Sequence, residues 1–289
     1  MPRSPIPGFR TLLMGPSGSG KTWTLRSFAS TGITPFAIFT EPGFEVVGDL
    51  PCDRLHWRYI RPATQPWRAL MDSAHKINTL PFKSLAEMGD INKRDYNQFW
   101  TFLESCNDYH CDRCGESFGD VGKWGTDRVL FVDGLSGLNM MSMNMVVGSK
   151  PVKSLADWGV AMDNLERLLQ KLTMDLQCHL VLVSHIERET DEVLGGIKVM
   201  ASTLGRKLAP RIPRFFSDVI LAEKEVSRFT WSTTALNVDL KNRFLPLSDK
   251  IPPTFGQIVD AWKSKGGVIC PADTEQPAVG RPPTQVASR

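Results

Sequence analysis

The sequence predicts an α/β fold with a mainly parallel central sheet flanked by helices. The prediction rests on apolar runs that lack alternation, on helical periodicity between them, and on the polar or glycine-rich residues that follow each run. An apolar run without alternation is typical of a strand buried on both faces of a parallel sheet. Four such runs cover residues 9–14, 36–41, 127–133 and 180–185. Ligands of such sheets collect where the strands end, so the residues there are the candidate site.

The composition bounds the class of protein. The chain has 289 residues, of which 42% are hydrophobic and 22% charged, and this suffices for one large domain with a buried core. A net charge of +3 is weaker than the basic bias of a dedicated nucleic-acid binder, so any such contact must be local. No stretch approaches the roughly 18 apolar residues of a membrane span, and the N-terminus has no signal-peptide pattern. We expect a cytoplasmic protein without membrane contact.

A glycine-rich loop follows the first apolar run. Gly15 and Gly20 enclose four residues, and Lys21 and Thr22 follow directly. In this P-loop pattern the backbone N–H groups face a phosphate, the lysine reaches the outer phosphates, and the threonine hydroxyl can hold Mg²⁺. A glycine-rich turn without a ligand is the alternative, but the Gly-Lys-Thr spacing after a strand favours binding of a nucleoside triphosphate. The predicted nucleotide-binding residues are Gly15, Pro16, Ser17, Gly18, Ser19, Gly20, Lys21 and Thr22.

Polar residues end the other three runs. Asp133 completes a Walker B pattern, and we expect it to hold Mg²⁺ together with Thr22 from the strand beside the P-loop. Glu41 could polarise an attacking water, although a carboxylate that caps a loop is an equally good interpretation of the chain alone. Ser184 and His185 end the last run, where His185 could sense the γ-phosphate, although a lone histidine is more often structural.

Periodicity and turn residues predict the remaining elements. Helices are expected at 21–30, 67–77, 96–106, 155–176 and 255–262. Further strands are expected at 55–60 and, as a C-terminal antiparallel pair, at 218–223 and 229–235. Two stretches are predicted to be mobile loops. The first, 134–153, is rich in Met, Asn and Ser and is expected to contain short helical parts, and the second is 187–207. The predicted organisation is a lead-in at 1–8, one domain at 9–270 with an insertion at about 80–126, and a disordered tail at 271–289.

A cysteine knuckle lies within the predicted insertion. Cys111 and Cys114 form a Cys-x-x-Cys pair, with Cys106 and His110 just before it. These four side chains could hold a tetrahedral Zn²⁺. Structural zinc sites usually pair two separated knuckles, so ordinary cysteines in an insertion are the alternative interpretation.

Taken together, the motifs resemble the ATPase core of the RecA, RadA and KaiC type. More narrowly, the chain resembles the phage-encoded RecA-like nucleotide-binding proteins, a group that includes single-strand annealing recombinases. The resemblance covers about residues 8–262, and the matching segments are 15–22, 41, 133–139, 157–162, 184–185, 204–210 and 241–243.

The resemblance implies a RecA-like P-loop NTPase core in which ATP lies between subunits of a ring or filament. It implies that Glu41 activates the attacking water, and that Lys241 and Arg243 reach the phosphates of a neighbouring subunit. It also implies that single-stranded DNA binds to the stretch after the strand that ends at Asp133 and to the stretch after the strand that ends at Ser184 and His185. The candidate DNA-binding cations in those stretches are Lys150, Lys153, Lys198, Arg206 and Lys207.

The expected function is ATP binding and hydrolysis by a RecA-like protein of phage DNA recombination or replication, which binds single-stranded DNA as an oligomer. The expected catalytic residues are Lys21, Glu41, His185, Lys241 and Arg243, with ATP and Mg²⁺ as cofactors and Zn²⁺ as a further candidate. The expected partners are single-stranded DNA, further copies of the chain, and phage recombination or replication proteins. The alternatives are an ATP-gated scaffold or packaging-associated NTPase without activity on DNA, and a P-loop kinase that phosphorylates a small molecule.

Overall fold

A computed structural model describes residues 4–89, 92–190 and 195–271. Its strands are β1 (Arg10–Met14), β2 (Thr34–Phe39), β3 (His56–Tyr59), β4 (Arg128–Asp133), β5 (His179–Ser184), β6 (Ile186–Thr190), β7 (Ile197–Ala201), β8 (Asp218–Glu225) and β9 (Arg228–Ser232). Seven of them form one sheet in the order β3-β2-β4-β5-β1-β8-β9. All neighbours in this sheet are parallel except β9, which runs antiparallel to β8. The predicted α/β fold class, with its C-terminal antiparallel pair, is confirmed.

Seven α-helices connect or cover the strands within the described residues. They are α1 (Trp67–Thr79), α2 (Phe82–Glu87), α3 (Gln98–Asn107), α4 (Leu135–Val147), α5 (Leu155–Met174), α6 (Gly205–Leu208) and α7 (Gly256–Ser264). Short 3-10 helices lie at Thr22–Ser30, Phe44–Val47, Lys93–Asp95, Val121–Lys123 and Ala209–Phe215. All five predicted helices are present, the first of them as a 3-10 helix.

The sheet separates two apolar cores because successive side chains of a strand point to opposite faces. On β1, Leu12 and Met14 pack with α3, α4 and α5, whereas Leu13 packs with the Thr22–Ser30 helix and α7. Both faces of the parallel strands are therefore covered, which explains why these strands read as continuous apolar runs.

Arg10 ties the C-terminal end of α5 to the sheet. Its guanidinium is buried and donates to the carbonyl oxygens of Thr173 at 3.0 Å and Cys178 at 2.7 Å, and also to that of Leu176. The nitrogen that donates to Cys178 O, Nη1, also donates to Gly8 O at 2.7 Å. A cation at this position complements the partial negative charge of the helix end.

The predicted loop at 134–153 is wrong over most of its length, because residues 135–147 form α4. Leu135, Leu138 and Met141 are buried in the core that α4 shares with α5. The polar residues that suggested a loop find partners inside the fold. Ser142 Oγ donates to Ala161 O at 2.8 Å, which removes the cost of burying this hydroxyl.

The predicted loop at 187–207 is also largely ordered. Strands β6 and β7 form an antiparallel ribbon that pairs Ile186 with Ala201 and Thr190 with Ile197. Of the residues between the strands, 191–194 lie outside the described residues, and α6 follows the ribbon. Because β6 begins directly after His185, the ribbon extends from the end of β5.

The remaining expectations concern the chain's organisation. Within the described ranges, no helix combines the length and the apolar character needed to cross a membrane. The predicted disordered tail falls outside the described residues except for Pro271, and so do residues 1–3 of the predicted lead-in. The boundaries of the domain at 9–270 and of its insertion stay predictions.

Candidate active site

The ends of four neighbouring strands, β2, β4, β5 and β1, meet at one edge of the sheet. The residues that follow or end these strands are Glu41, Asp133, His185 and the P-loop. The first three and P-loop residues 17–22 line one cavity of about 340 Å³, whereas the predicted nucleotide-binding residues Gly15 and Pro16 are not among its lining residues. The sequence placed these residues at strand ends correctly. Sheet order brings them together, since parallel strands end on the same side.

One expectation about this edge is wrong. Asp133 does not come from the strand beside the P-loop strand, because β5 lies between β4 and β1. The contact between the two motifs is nevertheless made, since Thr22 Oγ1 donates to Asp133 Oδ2 at 2.5 Å. The start of the helix after the P-loop therefore spans the end of β5.

The P-loop backbone depends on its glycines. Gly18 and Gly20 have φ values of +74° and +80°, which side-chain-bearing residues rarely adopt. A Cβ on Gly15 would lie 2.4 Å from Ala222 O on the neighbouring strand β8. The loop is thus held in a form that a larger residue at these positions would disturb.

Lys21 lies at the centre of this loop and is buried. Its Nζ donates to Gly15 O at 2.9 Å and to Pro16 O at 2.7 Å. Burial lowers the pKa of the Lys21 amine, while the charges of Asp133 and Glu41 raise it. A phosphate oxygen would offer this desolvated ammonium a charged acceptor, which is a stronger partner than the two carbonyls.

The oxygen donors beside Lys21 fit Mg²⁺. Thr22 Oγ1 and the Asp133 carboxylate are hard ligands of the kind that Mg²⁺ prefers, and they lie in direct contact. Burial raises the pKa of Asp133, whereas the hydrogen bond from Thr22 and the charge of Lys21 lower it. A bound cation would favour the ionised carboxylate in the same way as Lys21 does.

Glu41 and His185 face each other across the end of β4. The distance from His185 Nε2 to Glu41 Oε2 is 3.4 Å, and both side chains are only partly exposed. Both line the cavity that the P-loop lines. The arrangement places a carboxylate and an imidazole beside the phosphate-binding loop, where they can orient a water molecule.

Thr40 fixes the corner from which Glu41 projects, a role that the sequence analysis missed. Its hydroxyl accepts from Gly134 N and donates to Gly134 O, each at 2.8 Å. Gly137 passes so close that a Cβ there would lie 2.3 Å from Thr40 Oγ1. The only sequence signal for this contact is a threonine directly before the strand-end Glu41.

Two aromatic residues also line the cavity and were not predicted. Trp23 follows the P-loop and is 49% exposed, with the Arg26 guanidinium 4.2 Å from its ring centre. Phe229 of β9 lies against Gly20, since its ring would be 2.9 Å from a Cβ there. Aromatic faces at the rim of a phosphate site are suited to stacking with a nucleobase.

Lys241 and Arg243 are not among the residues that line this cavity. Lys241 pairs with Val219 near the start of β8, and its Nζ donates to Phe216 O at 2.6 Å. Because β8 is parallel to β1, its start lies at the opposite end of the sheet from the P-loop. The two cations therefore do not serve the site of their own chain, and contact with a neighbour's phosphates stays a prediction.

The candidate DNA-binding lysines before α5 have partners within the chain. Lys150 Nζ lies 2.9 Å from Asp157 Oδ2, a carboxylate that also accepts from Ser154 N in the capping box that begins α5. Lys153 is exposed, and its Nζ lies 5.7 Å from the Trp158 ring centre. Binding of DNA by Lys150 would require exchange of its ion pair.

The candidates after β5 are distributed over the ribbon and α6. Lys198 on β7 lies 2.9 Å from Asp239 Oδ2, and Lys207 on α6 is exposed. Arg206 belongs to α6, but its side chain lies outside what the structure describes. Their contact with DNA stays a prediction.

The predicted zinc ligands need correction at two positions. Cys106 lies on α3, where burial raises the pKa of its thiol to about 12, and His110 Nε2 contacts Asp108 Oδ2 at 2.8 Å in an exposed pair. Neither belongs to the group of potential metal ligands that Cys111 and Cys114 join. His110 Nε2 pairs with Asp108 instead of a metal. The Cys106 side chain packs against the core.

Cys111 and Cys114 instead meet Cys52 and His56, which the sequence analysis did not consider as ligands. Cys52 and His56 are spaced as Cys-x₃-His, with Cys52 in the turn before β3 and His56 as the first residue of that strand. Together with the Cys-x-x-Cys pair at Cys111 and Cys114, this spacing forms a two-part zinc pattern. It was the signal that could have identified Cys52 and His56 as ligands.

Comparison with known protein families shows the family of the chain. A family model described as AAA domain matches residues 8–244, which include the P-loop, Glu41, Asp133 and His185. The chain belongs to the AAA domain family. This AAA domain is a P-loop ATPase domain, of the kind that uses ATP together with Mg²⁺.

Solved structures similar to this AAA domain include a prototypical ATPase from the type III secretion system of pathogenic bacteria. The two chains are 12% identical, with a TM-score of 0.38, and the alignment covers 76% of the present chain. The AAA domain spans about half, 52%, of the length of that structure. No curated protein matches the chain in sequence.

Proposed function

We propose that this AAA domain is an oligomeric, Mg²⁺-dependent ATPase of the RecA-like type that binds single-stranded DNA in phage recombination or replication. One observation carries the ATPase part of the proposal. Lys21, Thr22, Asp133, Glu41 and His185, which come from four strand ends, line a single cavity. The proposed place of action is the host cytoplasm, together with recombination or replication proteins of the phage.

Each residue has a defined role in the proposed hydrolysis. The P-loop amides and Lys21 bind the phosphates, while Thr22 and Asp133 would hold Mg²⁺. Bound Mg²⁺ supplies neutralisation of charge on the phosphate oxygens. Glu41 accepts a proton from the attacking water, and His185 holds the Glu41 carboxylate in position.

The proposal assigns Lys241 and Arg243 to the site of a neighbouring subunit. Arg243 is exposed and lies away from the cavity of its own chain, and its backbone N–H is anchored on Asp218 Oδ1 at 2.9 Å. The anchor fixes the backbone from which the exposed side chain projects, and a guanidinium that reaches a neighbour's phosphate can stabilise the charge that develops there. A ring or filament would bring such cations to each ATP.

The ribbon of β6 and β7 supports the DNA part of the proposal. The ribbon continues directly from His185, so a single strand of DNA bound to the ribbon would be coupled to the residues proposed to surround the γ-phosphate. Binding would exchange the Lys198 pair with Asp239 for contacts with DNA phosphates. Such contacts release counterions and therefore weaken steeply with salt.

The pairing of Lys150 and Lys198 with carboxylates favours a second candidate function. In this alternative the chain is an ATP-gated scaffold or a packaging-associated NTPase, which changes its protein contacts on binding ATP without acting on DNA. It predicts tight ATP binding with negligible turnover when single-stranded DNA is present.

The deciding experiment is the rate of phosphate release by the full chain with and without single-stranded DNA over a series of salt concentrations. We expect DNA to raise the rate at low salt, and the effect to fall as salt increases. Lys21→Ala, which removes the phosphate-binding amine, should abolish turnover and excludes a contaminating ATPase. Lys207→Glu should weaken DNA binding while the basal rate stays unchanged.

Three outcomes would contradict the proposal. If single-stranded DNA neither binds the chain nor changes its hydrolysis rate at low salt, the DNA part of the proposal is wrong. Tight ATP binding with negligible turnover would favour the scaffold. Transfer of phosphate to a nucleoside instead of water would identify a kinase.

A further inference from the structure

We propose that Cys52, His56, Cys111 and Cys114 bind one structural Zn²⁺ at the edge of the sheet. The four ligand atoms all lie within 4.8 Å of one another. His56 and Cys111 are buried, Cys52 is partly buried and Cys114 is exposed. This inference is independent of the proposed function, since none of these residues lines the cavity of the P-loop.

The distances within the group match a tetrahedral zinc site. Zn–S bonds of about 2.3 Å and Zn–N bonds of about 2.0–2.1 Å imply S···S separations of about 3.8 Å and S···N separations of about 3.6 Å. The Sγ atoms of Cys52 and Cys111 are 3.8 Å apart. His56 Nδ1 lies 3.6 Å from Cys52 Sγ and 3.8 Å from Cys114 Sγ. These three separations match the tetrahedral values, and all four ligand atoms lie within 4.8 Å of one another, so one ion at the centre could bind them after small shifts.

The backbone around Cys111 has the form of a metal-binding knuckle. Gly115 N donates to Cys111 O at 2.9 Å, and Gly115 has a φ of +75°, which reverses the chain directly after Cys114. Arg113 N points to Cys111 Sγ at 3.4 Å. An N–H group directed at sulfur stabilises a thiolate, which is the form that binds a metal.

His56 is held in a fixed orientation by aromatic neighbours. Its ring stacks on Phe36 with a centroid distance of 4.7 Å, and the Phe118 ring lies 4.3 Å away. These contacts direct Nδ1 towards the cysteines. A ligand that is oriented before the metal binds loses little side-chain entropy on binding.

The knuckle is joined to strand β3 by Asp112. Asp112 N donates to Trp57 O at 2.8 Å, and its carboxylate accepts from Tyr59 N at 2.7 Å and from Arg58 Nη1 at 2.9 Å. The backbone of the edge strand is therefore paired by the knuckle instead of being left open. The ion would close this arrangement by joining the turn before β3 to the hairpin after α3.

Four protein ligands leave no open coordination position, which indicates a structural site and not a catalytic one. A disulfide between Cys52 and Cys111 is the competing interpretation. The separation of 3.8 Å is far longer than an S–S bond of about 2.05 Å. All six cysteines are free thiols in the structure.

The first experiment measures the zinc content of the full chain, purified without chelators and without added metal. We expect about one zinc per chain, retained through gel filtration. Cys114→Ser alters the exposed ligand and should lower the content several-fold. Cys106→Ala and His110→Gln are matched controls in the same region and should retain the wild-type content. A wild-type chain without zinc that takes up none on titration would overturn the proposal, as would equal loss in the two controls.

The second experiment replaces zinc by Co²⁺ in the full chain and records its visible spectrum. Three thiolates and one imidazole in a tetrahedral site should give intense ligand-field bands and sulfur-to-cobalt charge transfer. Per bound cobalt, Cys114→Ser should weaken the charge transfer by about a third, since one of three thiolates is lost. Octahedral cobalt without sulfur ligands, or a Cys52–Cys111 disulfide found by mass spectrometry of alkylated protein, would contradict the assignment.

Discussion

His185 Nε2 lies 3.4 Å from Glu41 Oε2, although the strands that carry them, β5 and β2, are separated by β4 in the sheet. The contact passes over the end of β4, where Asp133 binds Thr22. The carboxylate proposed to activate water and the carboxylate proposed to hold Mg²⁺ therefore have different partners. This separation lets Glu41 be tested without disturbing the residues that bind the nucleotide.

Glu41→Gln should lower the rate of ATP hydrolysis by about 10²-fold or more, because an amide cannot accept the proton of the attacking water. The affinity for ATP should change little, since the size of the side chain is kept and the P-loop is not altered. Phosphate release under saturating ATP and equilibrium binding of a fluorescent ATP analogue measure the two quantities separately.

The matched control is Glu45→Gln, which changes an exposed carboxylate on the adjacent 3-10 helix Phe44–Val47. Its rate should equal that of the wild type. Unchanged turnover in Glu41→Gln would show that Glu41 only caps the loop after β2.

Gly137→Ala should destabilise the fold by about 1–3 kcal/mol, because the new Cβ would lie 2.3 Å from Thr40 Oγ1 and 2.8 Å from Thr40 O. The strain falls on the corner that positions Glu41, so the hydrolysis rate should fall as well. Urea unfolding followed by circular dichroism gives the change in free energy of unfolding.

Gly159→Ala is the control for this substitution. Gly159 also lies in a helix, α5, but a Cβ there meets no atom within 4 Å. Alanine lowers the backbone entropy of the unfolded chain relative to glycine, so this variant should be more stable by about 1 kcal/mol. Equal effects of the two substitutions would mean that the contact between Gly137 and Thr40 does not constrain the fold.

The strand ends could be predicted from the sequence because the physical signal is local. An apolar run such as 36–41 identifies a buried strand, and its last residue, Glu41, then falls at the edge where ligands bind. The order of strands is not encoded locally. It depends on how helices cross the sheet, which is why β5 was not expected between Asp133 and the P-loop.

Two further features depended on long-range contacts. The stretch at 134–153 has the composition of a loop, and only the burial of Ser142 and its neighbours against α5 makes α4 stable. Four candidate metal ligands lie close together in sequence between residues 106 and 114. In the fold, the knuckle packs against β3, and this contact brings Cys52 and His56 to Cys111 and Cys114. Neither outcome follows from spacing within one segment.

Arg10→Met should destabilise the fold by about 3 kcal/mol or more. Arg10 is 6% exposed, and removal of its guanidinium takes a donor from the carbonyl oxygens of Thr173, Leu176 and Cys178. Each unsatisfied group costs about 1–3 kcal/mol. Chemical unfolding at neutral pH provides the measurement.

Arg167→Met on α5, the helix whose end Arg10 contacts, serves as the control. Arg167 forms a solvent-exposed pair with Asp163 at 2.9 Å, and such pairs contribute about 0–1 kcal/mol. If both arginine variants unfold at the same denaturant concentration, the carbonyl contacts of Arg10 do not stabilise the protein.

His179 is buried at the start of β5 and must stay neutral in the folded chain. Its Nδ1 accepts from Phe9 N at 3.1 Å, and the other ring nitrogen lies 3.0 Å from Thr126 O, to which it donates. Burial, reinforced by the charge of Arg10, lowers the pKa of His179 from 6.5 to about 3. Below pH 6.5 the unfolded chain therefore binds a proton that the folded chain does not, and stability falls as pH decreases towards 3.

The contribution of His179 should amount to about 1.4 kcal/mol per pH unit well below pH 6.5, or about 2 kcal/mol between pH 7 and pH 5. His179→Gln cannot take up this proton. The variant should be less stable than the wild type at pH 7, yet lose about 2 kcal/mol less between pH 7 and pH 5, since the contributions of other groups cancel in the comparison. His75→Gln, which changes an exposed histidine on α1, should keep the wild-type dependence. Urea unfolding at intervals of half a pH unit measures the three slopes, and equal slopes for wild type and His179→Gln would show that His179 is not the group that binds the proton on unfolding.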